Sequence, residues 1–397
     1  MNNKYRKNRF EKSNTTQKTN RTQKSRYKKQ PDVTSFIKNV PPGEESLPYQ
    51  SQRIIKDLPV NASIINNLLK KGYISPTEIQ DRSIEPILNG QDLMGLAQTG
   101  TGKTGAFLIP LAHNLLNQKP SFQILIITPT RELAVQIETE FRSITAGLRL
   151  FSECLIGGTS VSRDIYKLKR PCHVIIGTPG RICDMVRQKA LNLNDFSTLV
   201  LDEFDRLLDM GFSTDILQIV DQMSNRNQTI LFSATEDKTQ RSMLQKILNS
   251  PVEIRLKTGN TSAGTVDQEI LEISKGENRM DVLIRLVDDP SFEKVLVFSD
   301  TKRSVSKICS NLKKAGIRAD EIHGDKSQNY RLKALESFRN RKIRVLVATD
   351  VAARGLDIVN VSHVINFQPP QNMENYIHRI GRTGRAGKSG KALTFVG

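Results

Sequence analysis

The stretch Asp92–Pro110, DLMGLAQTGTGKTGAFLIP, decides how this chain is read. A short apolar run, Leu93 to Leu96, leads into Gly100, Thr101, Gly102, Lys103 and Thr104, and an apolar, helix-compatible segment follows. Glycines let backbone N–H groups turn inward around an anion with no Cβ in the way. Lys103 supplies a point charge for the outer phosphates of a nucleotide, and Thr104 a hydroxyl for Mg²⁺. The helix beyond aims its N-terminus at the same anion. The full pattern G-x-x-x-x-G-K-[ST] fails only at its first position, where Ala97 stands.

On either side of this loop the chain alternates. From Asn61, the residues Ile64, Ile65, Leu68 and Leu69 recur at helical spacing up to Gly72, and Pro76, Thr77 and Gln80 follow. Downstream, Ile124–Thr128, Phe151–Ile156, Val174–Thr178, Leu199–Asp202 and Thr229–Ser233 read as strands, with helices between them such as Arg131–Phe141. Continuous apolar strands separated by helices predict a parallel sheet covered on both faces. Ligands of such sheets sit beyond the carboxyl ends of the strands. Gly100–Thr104, Pro129–Arg131, Thr178–Arg181, Asp202–Glu203 and Ser233–Thr235 all fall at those ends. The stretch 257–265, KTGNTSAGT, reads as a flexible linker. The alternation then restarts, with strands near Val295–Phe298, Val345–Thr349 and Val364–Phe367 and helices near Ser304–Lys314 and Tyr330–Phe338. This second unit has no phosphate loop. Its polar motifs are His323–Asp325, Gln328 with Arg331, Ala348–Asp357 and His378–Arg385.

The chain has 397 residues, enough for two or three domains, and a net charge of +18. Residues 1–30 carry 11 Lys/Arg against the single acid Glu11, so the other 367 residues hold only +8. A strongly basic arm on a mildly basic body points to a polyanionic partner. Residues 1–52 have almost no aliphatic side chains and read as a disordered extension. Tyr5, Phe10 and Tyr27 among its charges suit backbone attraction with base stacking, the competing reading being a solubilising or addressing tail. Cys154, Cys172, Cys183 and Cys309 form no metal-binding or redox spacing, which predicts reduced thiols in a reducing, cytoplasmic setting. Apolar runs are too short to span a bilayer, and the N-terminal residues contain no apolar h-region of a secretory signal.

Asp202-Glu203 ends an apolar strand, where one carboxylate can hold Mg²⁺ through water and the other polarise the attacking water. Arg379, Arg382 and Arg385 recur every three residues in HRIGRTGR, which reads as a phosphate clamp completing the site when two domains close. With these motifs assembled, residues 53–397 resemble the DEAD-box ATP-dependent RNA helicases, with about a dozen motifs in the family's order.

The resemblance implies two RecA-like domains, each a parallel sheet flanked by helices, at 53–256 and 266–397, joined by the linker 257–265. It implies RNA-stimulated hydrolysis of ATP with Mg²⁺, coupled to domain closure and local unwinding, by a monomer. Gln80 matches the residue that reads adenine; Thr99, Gly100, Thr101, Gly102, Lys103 and Thr104 match the phosphate loop; Asp357 matches the ribose-binding Asp. Lys103, Asp202, Glu203, Arg382 and Arg385 are the implied catalytic set, with Thr104 and Asp202 toward the metal. Thr130, Arg131, Gly157, Gly158, Thr178, Gly180, Arg181, Arg331, Thr349 and Gly355 are implied to hold the RNA backbone without reading its sequence. Ser233, Thr235, Asp205 and His378 are implied to couple the two sites.

Three departures stand out. The family's DEAD reads Asp202-Glu203-Phe204-Asp205, so a ring must pack beside Asp205 and disturb its coupling to Ser233 or His378. Ile55 stands where the family stacks an aromatic on adenine, so Phe at this position would restore a ring over the base. The chain ends just after the strand Ala392–Val396, where relatives continue with another helix, which reads as a fragment or a shortened second domain. A DNA translocase of the same superfamily and a non-catalytic RNA clamp are the competing readings.

Overall fold

The computed structural model describes residues 49–98, 100–117, 123–235, 241–256, 266–353, 358, 361–384 and 390–397. One sheet holds β1 (Leu93–Leu96), β2 (Ile124–Ile127), β3 (Ser152–Leu155), β4 (Val174–Gly177), β5 (Thr198–Leu201), β6 (Gln228–Ser233) and β7 (Val252–Arg255). Its order is β3-β4-β2-β5-β6-β1-β7, all parallel. The other holds β8 (Val266–Glu272), β9 (Val295–Phe298), β10 (Ala319–Ile322), β11 (Val345–Ala348), β12 (His363–Asn366) and β13 (Gly390–Val396). Its order is β10-β11-β9-β12-β13-β8, again all parallel. Each sheet with its helices forms a lobe.

The apolar strands explain this layering. On β2, Ile124 and Ile126 join the core on one face, with Phe107 and Val200, while Leu125 and Ile127 join the core on the other, with Leu199 and Phe204. Side chains two apart share a face, so a continuous Ile-Leu-Ile-Ile run feeds two cores at once. The second lobe repeats this: Leu296 and Phe298 face one cluster, and Val295 and Val297 the other. Each such side chain contributes roughly 1.5–3 kcal/mol on full burial.

The ends of elements differ from the sequence expectation in instructive ways. The helices Lys302–Lys314 and Gln328–Arg339 begin two residues earlier than their periodicity suggests, because Thr301 and Ser327 cap them. Three strands, β7, β8 and β10, have no counterpart in the sequence reading. All three are edges of their sheets and interrupt their apolar residues with polar ones, mostly exposed in β7 and β8 and half-buried or buried in β10, so they lack a continuous apolar run. Residues 1–48 of the basic arm and the linker 257–265 lie outside the described residues. Tyr49 and Ser51, assigned to the extension, are tied to the first lobe by hydrogen bonds of 2.5 and 2.7 Å to Asp81.

Among the described residues no helix is long and apolar enough to cross a membrane. No cluster of three or more His, Cys, Asp or Glu there could hold a metal ion, and the four cysteines are free thiols.

Candidate active site

The sheet order sorts the motifs into two groups that their order along the chain conceals. Strands β5, β6 and β1 are neighbours, so Asp202-Glu203, Ser233–Thr235 and the phosphate loop lie side by side. Strands β3, β4 and β2 bring Gly157-Gly158, Thr178–Arg181 and Thr130-Arg131 together on the other half of the same edge.

In the first group, Gly100 and Gly102 adopt φ of +90° and +97°, which only glycine takes readily. A Cβ on Gly102 would stand 2.7 Å from the Thr77 hydroxyl and 2.8 Å from the Gln80 amide, so the loop and the Gln80 segment are built against each other. Gln80 is buried: its Oε1 accepts from the Thr77 N–H at 3.0 Å and its Nε2 donates to the Gly102 carbonyl at 3.1 Å. One lone pair and one N–H of the carboxamide remain, the pair an adenine edge requires. Lys103 opens the helix Lys103–Asn117 and reaches back to the Ala97 carbonyl at 2.9 Å; Thr104 follows it. Thr101 Oγ1 donates to the Gln98 carbonyl, and Thr99 lies outside the described residues.

Asp202 is 2% exposed, and its Oδ1 accepts the Glu203 N–H at 2.9 Å. Burial pushes its carboxyl up to about 6, against the pull of Lys103, and the Glu203 charge adds to the rise. A buried carboxylate so short of counter-charge suits a cation beside it. Glu203 sits in the left-handed region, φ 50° and ψ 53°, unusual for a residue with a side chain. Arg206 is a functional candidate that sequence reasoning missed. Its Nη1 pairs with Glu203 at 2.8 Å, and its Nη2 lies 3.4 Å from His378 Nδ1 of the other lobe.

Asp205 Oδ2 accepts from the N–H groups of Ala234 and Thr235 and from the Thr235 hydroxyl, each at 3.2 Å. The Ser233 hydroxyl accepts the Asp205 N–H and donates to the Thr235 carbonyl at 2.6 Å. Phe204 takes no part in this. Its ring is 0% exposed in the core beneath, with Leu125, Ile127 and Leu201, so the expected disturbance of Asp205 is corrected: helical geometry turns adjacent side chains to different faces. It is Arg206, not Asp205, that meets His378. Phe204→Ala is expected to cost about 3–5 kcal/mol of first-lobe stability through the cavity it leaves. Urea unfolding checks this, and unchanged stability would mean that the ring is not held as described.

Two further expectations are corrected. Ile55 is 0% exposed in the core, while Ile54 and Ile74 beside it are 47% and 78% exposed. Phe at position 55 would overpack that core instead of covering a base. Arg379 is not part of a clamp: its five N–H groups are matched by Asp350 twice, Asp300, Asn366 and the Gln368 carbonyl, and it stacks over Phe298. Arg382 is buried beside it, in a small pocket with His378 and Asp350. Arg385, Asp357 and Gly355 lie outside the described residues.

The second group is organised around two arginines. The Arg131 guanidinium lies across Gly157 and Gly158, where added Cβ atoms would stand 2.8 and 2.5 Å from it. Gly158 also has φ +82°. Arg181 pairs with buried Asp164 at 3.2 Å and donates to the Thr159 carbonyl at 2.8 Å. Thr130 caps the helix Arg131–Ile144, Thr178 precedes the helix Pro179–Arg187, and the Gly180 backbone faces open space. A cavity of about 390 Å³ runs from Gly158, Ser160, Arg163 and Lys167 to Ser327 and Gln328 of the second lobe. The Gln328 carboxamide is buried there with no hydrogen-bond partner among the described residues. Nearby, Arg331 bridges the lobes to Glu132 at 3.1 Å, with side chains 12% and 1% exposed. Thr349, also buried, follows β11.

Two family models match this frame: "DEAD/DEAH box helicase" over residues 77–243 and "Helicase conserved C-terminal domain" over residues 278–387. The chain belongs to the DEAD-box helicase family. It is 42% identical over 340 residues to the DEAD-box ATP-dependent RNA helicase CshA of Streptococcus pneumoniae, covering 86% of this chain and 65% of that protein. The chain thus spans just under two thirds of that relative. The crystal structure of a DEAD box protein from Methanococcus jannaschii is 36% identical, with a TM-score of 0.50, covering 86% of this chain and 93% of that one. The DEAD-box helicase Mss116 bound to ssRNA and UDP-BeF is 31% identical, with a TM-score of 0.77, covering 88% of this chain and 76% of that one.

Proposed function

We propose that this chain is an RNA-dependent ATPase that uses closure of its lobes to unwind short RNA duplexes or remodel RNA–protein complexes. The observation that carries the reading is the meeting, on adjacent strands β1, β6 and β5, of the phosphate loop, Ser233–Thr235 and Asp202-Glu203, with the other lobe's His378 in reach. The relatives' names support it, as does the tighter overlap with the RNA- and nucleotide-bound Mss116. Asp202-Glu203-Phe204-Asp205 takes the place of the family's DEAD, and the domains are 53–256 and 266–397 in a monomer of the reducing cytoplasm.

In the mechanism, the loop amides and Lys103 hold the phosphates of ATP, and Gln80 offers its remaining donor and acceptor to adenine. Thr104 and Asp202 would hold Mg²⁺, which when bound neutralises charge on the phosphate oxygens. Glu203 orients the attacking water. Arg382 and Arg385, with Asp357 at the ribose, complete the site from the second lobe. Arg131 with Gly157-Gly158, Thr130, Thr178, Gly180 and Arg181 on one side, and Arg331, Thr349 and Gly355 on the other, frame a backbone-reading RNA track. Asp205, Ser233 and Thr235 link the track to the nucleotide.

ATP turnover measured with and without single-stranded RNA, DNA, and GTP in place of ATP tests this reading. RNA should stimulate ATP hydrolysis, with DNA and GTP far behind. Turnover indifferent to RNA would overturn it.

A further inference from the structure

The contacts of Arg206 bear on how closure reaches the chemistry. Its residue is 5% exposed, in the short helix Phe204–Asp209 directly after Glu203. Its Nη1 holds Glu203 Oε2 at 2.8 Å, and its backbone N–H donates to Asp205 Oδ1 and the Glu203 carbonyl, both at 3.0 Å. The other terminal nitrogen faces His378 Nδ1 at 3.4 Å, across the boundary between the lobes and 172 residues along the chain. With the guanidinium as donor, Nδ1 is the acceptor and carries no proton.

We infer that Arg206 is a positioning residue: it fixes the Glu203 carboxylate toward the attacking water, and His378 steadies Arg206 only when the lobes are together. The inference rests on the function proposed above. Two physical points favour it. The left-handed backbone of Glu203 aims a side chain in a direction that local preference does not maintain, so something must hold it. Phosphoryl transfer also rests on positioning more than on proton abstraction, so a pair that places the acceptor serves it. A planar fork is suited to the task, since it can grip Glu203 and His378 with separate nitrogens in one fixed geometry. The device thus carries the state of the lobe boundary to the water-orienting group through one side chain.

The test uses the full chain at saturating single-stranded RNA, comparing wild type with Arg206→Met, Arg206→Lys, His378→Ala and Arg206→Met/His378→Ala. Arg206→Met should lower kcat by about 10²-fold, the scale of a misplaced reacting group, with the KM for ATP nearly unchanged. Arg206→Lys should recover part of the loss, because it can hold Glu203 but not both partners. His378→Ala should lower kcat less, and the double variant should be no worse than Arg206→Met. Normal or raised kcat in Arg206→Met, a change in KM alone, or additive losses in the double variant would each overturn the inference. Should Arg206→Met fail to fold, Arg206→Lys and its double with His378→Ala carry the same comparison. A wild type without RNA-stimulated turnover brings down the proposed function itself; an active wild type matched by its Arg206 variants brings down only this inference.

Discussion

Glu203→Gln is expected to bind ATP as the unchanged chain does and to lose about 10³-fold in turnover, the scale on which a single transition-state group acts. The reasoning is differential. Gln keeps the volume and an acceptor oxygen, so the loop, Lys103 and Gln80 still hold the nucleotide. The negative charge that orients water is needed mainly in the transition state. The exchange also removes the ion pair at 2.8 Å to Arg206, which leaves that guanidinium buried without its counter-charge. Titration with a fluorescent ATP analogue and steady-state hydrolysis at saturating RNA separate the two effects. Near-normal turnover would show that another group orients the water.

The second large effect concerns the lobe boundary. Glu132, 1% exposed, meets Arg331 of the other lobe at 3.1 Å. Removing one partner of a buried pair costs about 3–5 kcal/mol, because the survivor keeps its desolvation penalty. That penalty on Arg331, in the second lobe, vanishes when the lobes part and water reaches it. Glu132→Ala should therefore shift the equilibrium toward open molecules by about 10²- to 5 × 10³-fold, from the same energy at about 1.4 kcal/mol per tenfold. RNA affinity with a bound ATP analogue should fall by that factor, while affinity without nucleotide changes little. Single-molecule distances between labels on the two lobes read the shift directly. An unaltered closed population would mean that the pair contributes nothing to closure.

Much of this architecture is legible in the residues alone, for a physical reason. Strands such as Ile124–Ile127 and Val295–Val297 feed cores on both faces, so burial forces them to be apolar throughout, and the turn chemistry at their ends stands out. Edge strands escape that pressure. Ala319-Asp320-Glu321-Ile322, an edge strand, carries two acids that ion pairs hold in place of apolar packing, Asp320 with Lys313 and buried Glu321 with Lys326. Roles that depend on approach across the fold are equally hidden. The three-residue spacing of Arg379, Arg382 and Arg385 suggests one function for all, yet Asp350, Asp300 and Asn366, which claim Arg379, come from three other strand ends. Ile55 and Ile54 are neighbours of the same type, and only packing decides which of them is core. Arg206 carries no motif signature, since its two partners lie 3 and 172 residues away.

The apolar clusters keep to their own lobes. Two draw on residues 55–254 and two on residues 266–395, and among the described residues none contains side chains from both lobes. The contacts described between the lobes are ionic and polar, Arg331 with Glu132 and Arg206 with His378. Closure of this kind buries little hydrocarbon, so its heat-capacity change is small and its free energy varies gently with temperature. The lobes can come together and part over a wide thermal range without the cold-weakening that attends apolar association. Loss of a charge on either side, not warmth, is the change to which such a joint answers.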